Sequence, residues 1–183
     1  MGRLVIAVSG TPGTGKTVFS RALAKKLNAK LIDLHELIER KKIYTLDPDG
    51  TKVADPLQMC REFTREIKTV RGSIIVEGLL AHLLPKRALT HVVVLRTRPS
   101  ILEQRLRARK YTKAKIRDNV EAEALDIILW EAVEKHGMNK VYEIDTTDLK
   151  TQNAVKLFLR ALEGKTSLRP GKTDWLEEHF KLG

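Results

Sequence analysis

The length of 183 residues fits one compact domain, and 42% hydrophobic with 31% charged residues excludes a disordered chain. No apolar run approaches the roughly 18 residues of a transmembrane helix, and no signal-peptide pattern opens the sequence, so we expect a cytoplasmic protein. The net charge of +11 favours an anionic partner, while the single cysteine, Cys60, excludes an internal disulfide and a thiolate metal cluster.

Apolar, β-rich runs alternate with segments of helical periodicity along the chain. Strands are predicted at residues 4–8, 31–32, 74–76, 91–95 and 141–144. Helices are predicted at residues 18–27, 34–41, 57–70, 100–108, 116–133 and 154–162. Such alternation is typical of a parallel sheet, so we predict an α/β fold in which a five-stranded parallel sheet carries helices on both faces.

The folded domain is expected to span residues 1–163, followed by a C-terminal tail at 164–183. Residues 46–56 are mostly polar and contain the turn sequence Asp47-Pro48-Asp49-Gly50, so we interpret them as a mobile flap without an ordered strand. Three apolar side chains of the tail are candidate anchors on the domain: Trp175, Leu176 and Phe180. Two basic ones would either contact RNA or be solvated: Arg169 and Lys172.

A phosphate-binding loop directly follows the first predicted strand. Its sequence, Gly10-Thr11-Pro12-Gly13-Thr14-Gly15-Lys16-Thr17, satisfies G-x-x-x-x-G-K-[ST] between a strand and a helix. Backbone N–H groups of such a loop converge on phosphates, and the helix dipole assists them. Lys16 is expected to reach the β- and γ-phosphates, and the Thr17 hydroxyl to ligate Mg²⁺. The predicted cofactors are therefore ATP and Mg²⁺.

The loop alone does not separate kinases from other P-loop enzymes. GTPases usually carry an N-K-x-D sequence for base recognition, whereas Asn139-Lys140 is followed here by Val141-Tyr142. We therefore favour a kinase or an ATPase over a GTPase. The residues predicted to bind ATP are Gly13, Gly15, Lys16, Thr17, Val18 and, from a later segment, Arg109.

Two carboxylates follow predicted strands, at the edge of a parallel sheet where ligands bind. Glu77 would lie near the metal or the attacking oxygen, or else cap the next turn. Asp33 would either orient Mg²⁺-bound water or cap the helix that begins at Leu34. The candidate metal ligands are Thr17, Asp33 and Glu77.

Residues 34–56 have the position of an acceptor-binding arm, in which Arg40 either holds a phosphate or is solvated. A strongly basic segment lies between Arg96 and Arg117. Within it, Arg105 and Arg109 are four residues apart and share one helical face, as in a kinase lid that supplies guanidinium groups to the transferred phosphoryl group. Arg109 is the strongest candidate there. The predicted catalytic residues are Lys16, Glu77 and Arg109.

The same basic segment would also suit a solvated helix face or a surface that contacts nucleic-acid phosphates. The net charge as a whole would also suit a heat-adapted surface rich in ion pairs. A basic composition therefore does not by itself assign the segment to a lid.

Further segments complete a family pattern: Glu77-Gly78-Leu79-Leu80-Ala81-His82-Leu83-Leu84-Pro85, Val93-Val94-Leu95-Arg96-Thr97, Arg105-Leu106-Arg107-Ala108-Arg109-Lys110-Tyr111, Asp118-Asn119 and Glu121-Ala122-Glu123. Over residues 4–162 the chain resembles an archaeal-type member of the atypical adenylate kinase isoenzyme six family, also known as the coilin-interacting nuclear ATPase and small-subunit assembly factor. The resemblance departs at Leu79, where the family often has the histidine of Asp-x-His, and at Lys110, where its lid usually has glycine. His82 either replaces that histidine or is packed in the core.

The resemblance implies a P-loop nucleoside monophosphate kinase with ATPase activity, which transfers the γ-phosphoryl group of ATP to AMP or another nucleoside monophosphate. It implies a short lid at about residues 108–118 and a role in small ribosomal subunit maturation. The implied partners are a platform ribosomal protein and rRNA. Separately from the resemblance, we expect no membrane partner, because no long apolar run occurs, and no DNA partner.

Two other functions stay open at this point. One is an assembly ATPase that binds a ribosomal protein or rRNA and has little kinase activity. The other is a small-molecule kinase with a hydroxyl acceptor, for which Glu77 or Asp33 would serve as the base.

Overall fold

A computed structural model describes residues 2–48, 50 and 52–177. The strands are β1 (Val5–Ser9), β2 (Lys30–Asp33), β3 (Tyr44–Leu46), β4 (Lys52–Ala54), β5 (Ile74–Glu77), β6 (His91–Arg96) and β7 (Val141–Asp145). The helices are α1 (Lys16–Leu27), α2 (Leu34–Lys41), α3 (Pro56–Thr69), α4 (Pro99–Ala108), α5 (Lys113–Ala124), α6 (Ile127–His136) and α7 (Thr151–Leu162), with a 3-10 turn at Ala81–Leu83. A five-stranded parallel sheet in the order β2-β5-β1-β6-β7 confirms the predicted α/β fold.

Helices cover both faces of the sheet because its central strands are apolar throughout. Successive β1 residues point to opposite faces, so Ile6 and Val8 pack with α1 and α7, whereas Val5 and Ala7 pack on the other side with α3 and α6. On the first side the Phe158 ring lies 6.3 Å from the Phe19 ring, centroid to centroid. The two layers of helices pack against opposite faces of the sheet. This packing fixes the positions at which the strands end.

The carboxyl ends of the parallel strands meet at one edge of the sheet, as expected for a ligand-binding edge. In the strand register Glu77 lies beside Val8 on one side and beside Asp33 on the other. The phosphate loop leaves β1 at this same edge. The fold therefore brings together the loop and both predicted carboxylates.

The prediction that residues 46–56 hold no ordered strand is wrong. β3 and β4 pair as an antiparallel hairpin with Thr45 opposite Val53. The turn residues close this hairpin: the Gly50 N–H donates to the Asp47 carbonyl at 2.8 Å, and Gly50 adopts a φ of 80°. Mobility of the flap at residues 46–56 remains a prediction. Asp49 and Thr51 lie outside the described residues.

The helix predicted at 116–133 is two helices, α5 and α6, which meet at Asp126. Asp126 has a left-handed φ of 56°, which interrupts helical hydrogen bonding. The turn allows Glu123 and Asp126 to approach the same buried side chain, Arg96. A tertiary contact thus overrides a helical periodicity that continues through the break.

The first part of the tail docks against the domain. Trp175 is buried, and the Arg98 guanidinium lies over its ring at 5.4 Å from the centroid, so the prediction of this anchor is confirmed. Leu176 is 42% exposed and is not an anchor, which corrects that expectation. Phe180 lies outside the described residues.

Across the ranges that the structure describes, no helix combines the length and the apolar character needed to cross a membrane. Cys60 is half-buried, and burial raises the pKa of its thiol. A thiol with a raised pKa is a poor nucleophile, which agrees with an inert role for Cys60.

Candidate active site

The phosphate loop packs closely against the end of β6 and against a side chain of α4. Gly10 has a φ of 141°, and a Cβ atom there would lie 2.4 Å from the Leu95 carbonyl oxygen. A Cβ atom on Gly13 would lie 2.8 Å from Leu102. Gly10 requires glycine because the atom it approaches is backbone, and Gly13 favours glycine because its φ is 101°, which strains a residue with a Cβ atom. Gly15 precedes α1 and has no side chain to cap the helix, so the first N–H groups of α1 remain suited to an anion.

Lys16, which is predicted to bind phosphate, is held by carbonyl oxygens of the phosphate loop itself. Its Nζ donates to the carbonyl oxygens of Gly10 at 2.8 Å and Thr11 at 3.1 Å. Burial lowers the pKa of Lys16 to about 8, against the opposing influence of Glu77 and Glu123. A bound phosphate would favour the charged form.

Glu77 and Asp33 take different roles at the strand ends. Glu77 is buried, and the Thr17 hydroxyl lies close enough to its carboxylate to oppose the effect of burial on its pKa. Burial raises the pKa of Glu77, and the nearby Asp33 charge raises it further. Asp33 caps α2, because its Oδ1 accepts from the N–H groups of His35 at 2.8 Å and Glu36 at 3.2 Å. The capping alternative for Asp33 is thus observed.

Thr17, Glu77 and Asp33 together offer hydroxyl and carboxylate oxygens, the donor chemistry that Mg²⁺ prefers. Within the described part of the chain, no group of three or more His, Cys, Asp and Glu residues could hold a metal ion alone. This fits a P-loop site, where the protein supplies few ligands and phosphate oxygens supply others. Metal binding by these residues remains a prediction.

A pocket of about 230 Å³ opens beside the phosphate loop and is lined by Gly13, Thr14, Gly15, Val18, Phe19, Arg105, Arg109, Thr146, Leu149, Thr151 and Ala154. Four residues predicted to bind ATP therefore share one cavity: Gly13, Gly15, Val18 and Arg109. Arg109 is exposed at the end of α4, at the start of the predicted lid. We refer to this cavity as the donor pocket.

Arg105 differs from the expectation of a lid arginine, a solvated helix face or a phosphate contact. Its guanidinium donates to the carbonyl oxygens of Gly13 at 3.2 Å and Thr147 at 3.3 Å. These bonds tie the phosphate loop to the segment after β7. Arg105 therefore supports the pocket, whereas Arg109, the predicted lid arginine, is exposed and lines the same pocket.

A second pocket, of about 490 Å³, lies between the arm and the segment after β5. Its lining is mainly apolar and consists of Leu34, His35, Ile38, Glu39, Tyr44, Lys52, Val53, Ala54, Pro56, Gly78, Leu79, Leu80 and Leu83. We refer to it as the acceptor pocket. Arg40 does not line it; its side chain is 61% exposed and pairs with Glu66 at 3.2 Å, so the solvated alternative is the correct one.

Sequence reasoning missed a buried ion network behind the phosphate loop. Arg96, assigned above to the basic segment, is only 2% exposed. Its Nε donates to Glu123 Oε1 at 2.7 Å, its Nη1 to Glu143 Oε1 at 3.3 Å, and its Nη2 to Asp126. Glu123 Oε2 accepts from the Thr11 hydroxyl at 2.5 Å. The sequence hints at this network only in that Arg96 and Glu143 are charged residues within apolar runs.

His82 is packed and does not replace the missing family histidine. It is 2% exposed, with Nδ1 at 2.9 Å from Ser9 Oγ and Nε2 at 2.8 Å from Glu131 Oε2. Burial lowers the pKa of His82, and the contact with Glu131 opposes this shift. Leu79, at the position of the family histidine, is 43% exposed and lines the acceptor pocket.

Lys110 lies where the chain turns between α4 and α5, inside the predicted lid. It adopts a left-handed φ of 58°, a conformation that glycine adopts without the steric cost of a Cβ atom. This left-handed conformation explains why the family that the sequence resembles usually has glycine at the position of Lys110. The effect of Lys110 on lid motion remains a prediction.

Residues 6–126 match the family described as AAA domain. A protein of Methanocaldococcus jannaschii named "Putative adenylate kinase" is 37% identical over 176 residues, which cover 96% of this chain and 94% of the relative. A protein of the same name from Pyrococcus furiosus is 37% identical over 181 residues, covering 98% and 95%. The similarity to both relatives extends over nearly the whole chain.

Solved kinase structures have the same fold. Shikimate kinase from Acinetobacter baumannii has a TM-score of 0.64 at 20% identity, covering 90% of this chain and 96% of that one. A gluconokinase from Sinorhizobium meliloti has a TM-score of 0.55 at 16% identity, covering 88% and 94%. At such identities the likeness concerns the fold alone.

Proposed function

The chain belongs to the AAA-domain family and to the family of these archaeal relatives, and on that premise we propose that it is a nucleoside monophosphate kinase. It transfers the γ-phosphoryl group of ATP to AMP or another nucleoside monophosphate. The observation that carries the proposal is that Lys16 and Thr17 directly follow Gly15 of the donor pocket, while Glu77 directly precedes Gly78 of the acceptor pocket. Because the Thr17 hydroxyl interacts with the Glu77 carboxylate, the phosphate loop and the end of β5 meet at the edge of the sheet.

The proposed mechanism needs no general base, because the acceptor phosphate is already ionised at neutral pH. Positioning and charge neutralisation then supply most of the rate enhancement. Lys16 and Arg109 bind the oxygens of the transferred group, and closure over Arg109 excludes water. Thr17 would hold Mg²⁺ together with Glu77 or Asp33, and the bound ion would neutralise phosphate charge.

Arg109 and Arg105 are expected to respond differently to substitution. Arg109→Ala should lower kcat/KM by about a hundredfold with an unchanged melting temperature, because an exposed lid cation acts on the transition state. Arg105→Ala should lower the melting temperature, because it releases four hydrogen bonds, three of them to backbone carbonyls. Steady-state kinetics and thermal melts on both variants check this; equal losses of kcat/KM without destabilisation would contradict it.

The lowered pKa of Lys16 predicts proton uptake on nucleotide binding. With a pKa of about 8 in the free protein, Lys16 is mostly neutral at about pH 8.5, and a bound phosphate raises its pKa again. Mg-ADP binding at about pH 8.5 should therefore take up roughly 0.7 proton, and at about pH 6.5 none. Affinity should weaken as pH rises through 8, since the charged form binds.

Calorimetry in two buffers of different ionisation enthalpy measures that uptake directly. Binding enthalpies that agree between the buffers at both pH values would mean that the Lys16 pKa is not lowered.

ATPase activity and a role in small ribosomal subunit maturation are further parts of this proposal, as is a cytoplasmic location. The alternative function is an assembly ATPase that binds a ribosomal protein or rRNA with little kinase activity. The net charge of +11 favours this alternative, and so does an acceptor pocket whose lining, among the described residues, includes no arginine. Binding to RNA through surface cations should weaken steeply with salt.

Turnover with each acceptor separates the functions. A coupled assay measures ADP formation from Mg-ATP with and without AMP, other nucleoside monophosphates and hydroxyl compounds, with Lys16→Ala as the control for contaminating activity. ADP formation that rises strongly with AMP supports the kinase. Slow hydrolysis that no acceptor stimulates rejects it in favour of the assembly ATPase, and turnover with only a hydroxyl compound points to a small-molecule kinase.

A further inference from the structure

The C-terminal segment at residues 168–175 donates two hydrogen bonds into the interior of the domain. Glu143, on β7, is 5% exposed, and its Oε2 accepts from the backbone N–H groups of Gly171 at 2.8 Å and Lys172 at 2.9 Å. In addition, the Glu143 N–H donates to the Leu168 carbonyl at 2.9 Å. The segment therefore acts through its backbone, and Trp175 secures it as the buried anchor.

These hydrogen bonds help to balance charge in the buried network. Arg96 is one guanidinium among three carboxylates, those of Glu123, Asp126 and Glu143. A buried carboxylate without sufficient hydrogen bonds is strongly unfavourable. Without the segment, the described partner of the Glu143 carboxylate would be Arg96 alone, at 3.3 Å. Glu143 would then compete with Glu123 for the guanidinium.

The opposite end of the network holds the phosphate loop. Glu123 Oε1 accepts from Arg96 Nε at 2.7 Å and from the Thr97 N–H at 3.0 Å, while Oε2 accepts from the Thr11 hydroxyl at 2.5 Å. The Thr11 carbonyl in turn accepts from Lys16 Nζ at 3.1 Å. An unbroken series of hydrogen bonds thus runs from the C-terminal segment to the lysine of the phosphate loop.

We propose that residues 168–175 form a positioning element of the nucleotide site: their docking on Glu143 keeps Arg96 and Glu123 in the arrangement that fixes Thr11 in the phosphate loop. By thermodynamic linkage, nucleotide binding then stabilises the docking of the segment, because coupling between two sites is reciprocal. The inference rests on the nucleotide binding of the proposed function and is independent of the acceptor.

Hydrogen exchange on the unmodified protein tests the coupling. The amides of Gly171 and Lys172 should exchange at least about threefold more slowly when Mg-AMPPNP is bound, a size in the usual range of coupling between linked groups. The control amides are those of Leu57 and Gln58, which also donate to a carboxylate, Asp55. Their exchange should not change. Equal exchange at Gly171 and Lys172 with and without bound nucleotide overturns the proposal.

A double-mutant cycle gives an independent test. Thr11→Val removes the hydroxyl that Glu123 holds, and Glu143→Gln weakens the contact with the segment. If the two act through one network, each should weaken Mg-ADP binding, and their combined effect should differ from the product of the single effects by at least about threefold. Multiplicative effects would mean that the tail is only a structural support. Arg169→Ala, an exposed change in the same segment, should leave affinity unchanged.

Failure of folding or of nucleotide binding is distinguishable from failure of the coupling. If Glu143→Gln does not fold, the exchange measurement on the unmodified protein decides alone. If the unmodified protein does not bind Mg-ADP, the proposed function fails and the coupling fails with it. If it binds but the two amides do not respond, only the coupling fails.

Discussion

Replacing Lys16 by methionine is expected to lower phosphoryl transfer by at least about a thousandfold, because a preorganised cation at the transferred group is among the largest contributions to this chemistry. Methionine keeps the length and apolar stem of the side chain and removes the charge. The Nζ atom lies within 3.1 Å of the loop carbonyls, so its charge is placed by the loop itself. The measurement is the initial rate of ADP formation with Mg-ATP and the acceptor that gives the fastest turnover.

The fold should survive this substitution. Burial already lowers the pKa of Lys16, which shows that the surroundings disfavour its charge, so an apolar side chain is not expected to lower the melting temperature. Lys26→Met provides a matched control, since Lys26 is exposed on the same helix, and its turnover should be unchanged. If Lys16→Met keeps more than about a tenth of the activity, the phosphate loop is not the catalytic site.

The parts of the site that the sequence predicted are those whose chemistry is local in the chain. The phosphate loop needs eight consecutive residues, and Glu77 and Asp33 were found because each ends an apolar strand. Parallel strands bring their carboxyl ends to one edge, so a strand pattern is sufficient to place these carboxylates together. Whether Asp33 caps α2 depends on the geometry of its hydrogen bonds to the residues that follow it, which the sequence does not determine.

The parts that it could not predict depend on partners distant in the chain. Glu123 and Glu143 are 27 and 47 residues from Arg96, and no periodicity relates such positions. Arg96 marks the start of the basic segment in the sequence, and composition does not reveal which cation is buried. The hairpin of the arm was missed for a different reason, since its strands are only three residues long and mostly exposed.

Replacing Arg96 by methionine is expected to destabilise the protein by about 3–5 kcal/mol, the usual cost of removing one partner from a buried ion pair. The buried carboxylates of Glu123 and Glu143 would then face each other without a cation. For a domain of this size the melting temperature should fall by roughly 10 °C. Thermal unfolding followed by circular dichroism measures the loss.

The matched control is Arg107→Met, because Arg107 pairs with Glu103 at the surface, where its side chain is 71% exposed. Surface pairs contribute at most about 1 kcal/mol, so this variant should melt within a few degrees of the unmodified protein. The loss in Arg96→Met should also shrink as pH falls from about 8 to about 5, because burial raises the pKa of Asp126 and removal of the Arg96 charge, which opposes that shift, raises it further.

If Arg96 stabilises the protein through its charge, the stability lost in Arg96→Met should be both large and dependent on pH. A folded state that binds more protons than the unfolded state loses stability as pH rises, and this is the sign expected of Arg96→Met. A large loss that does not vary with pH would indicate that Arg96 contributes mainly by packing its apolar stem. A loss no larger than that of Arg107→Met would mean that the carboxylates are solvated in solution, and that the buried network does not hold the phosphate loop.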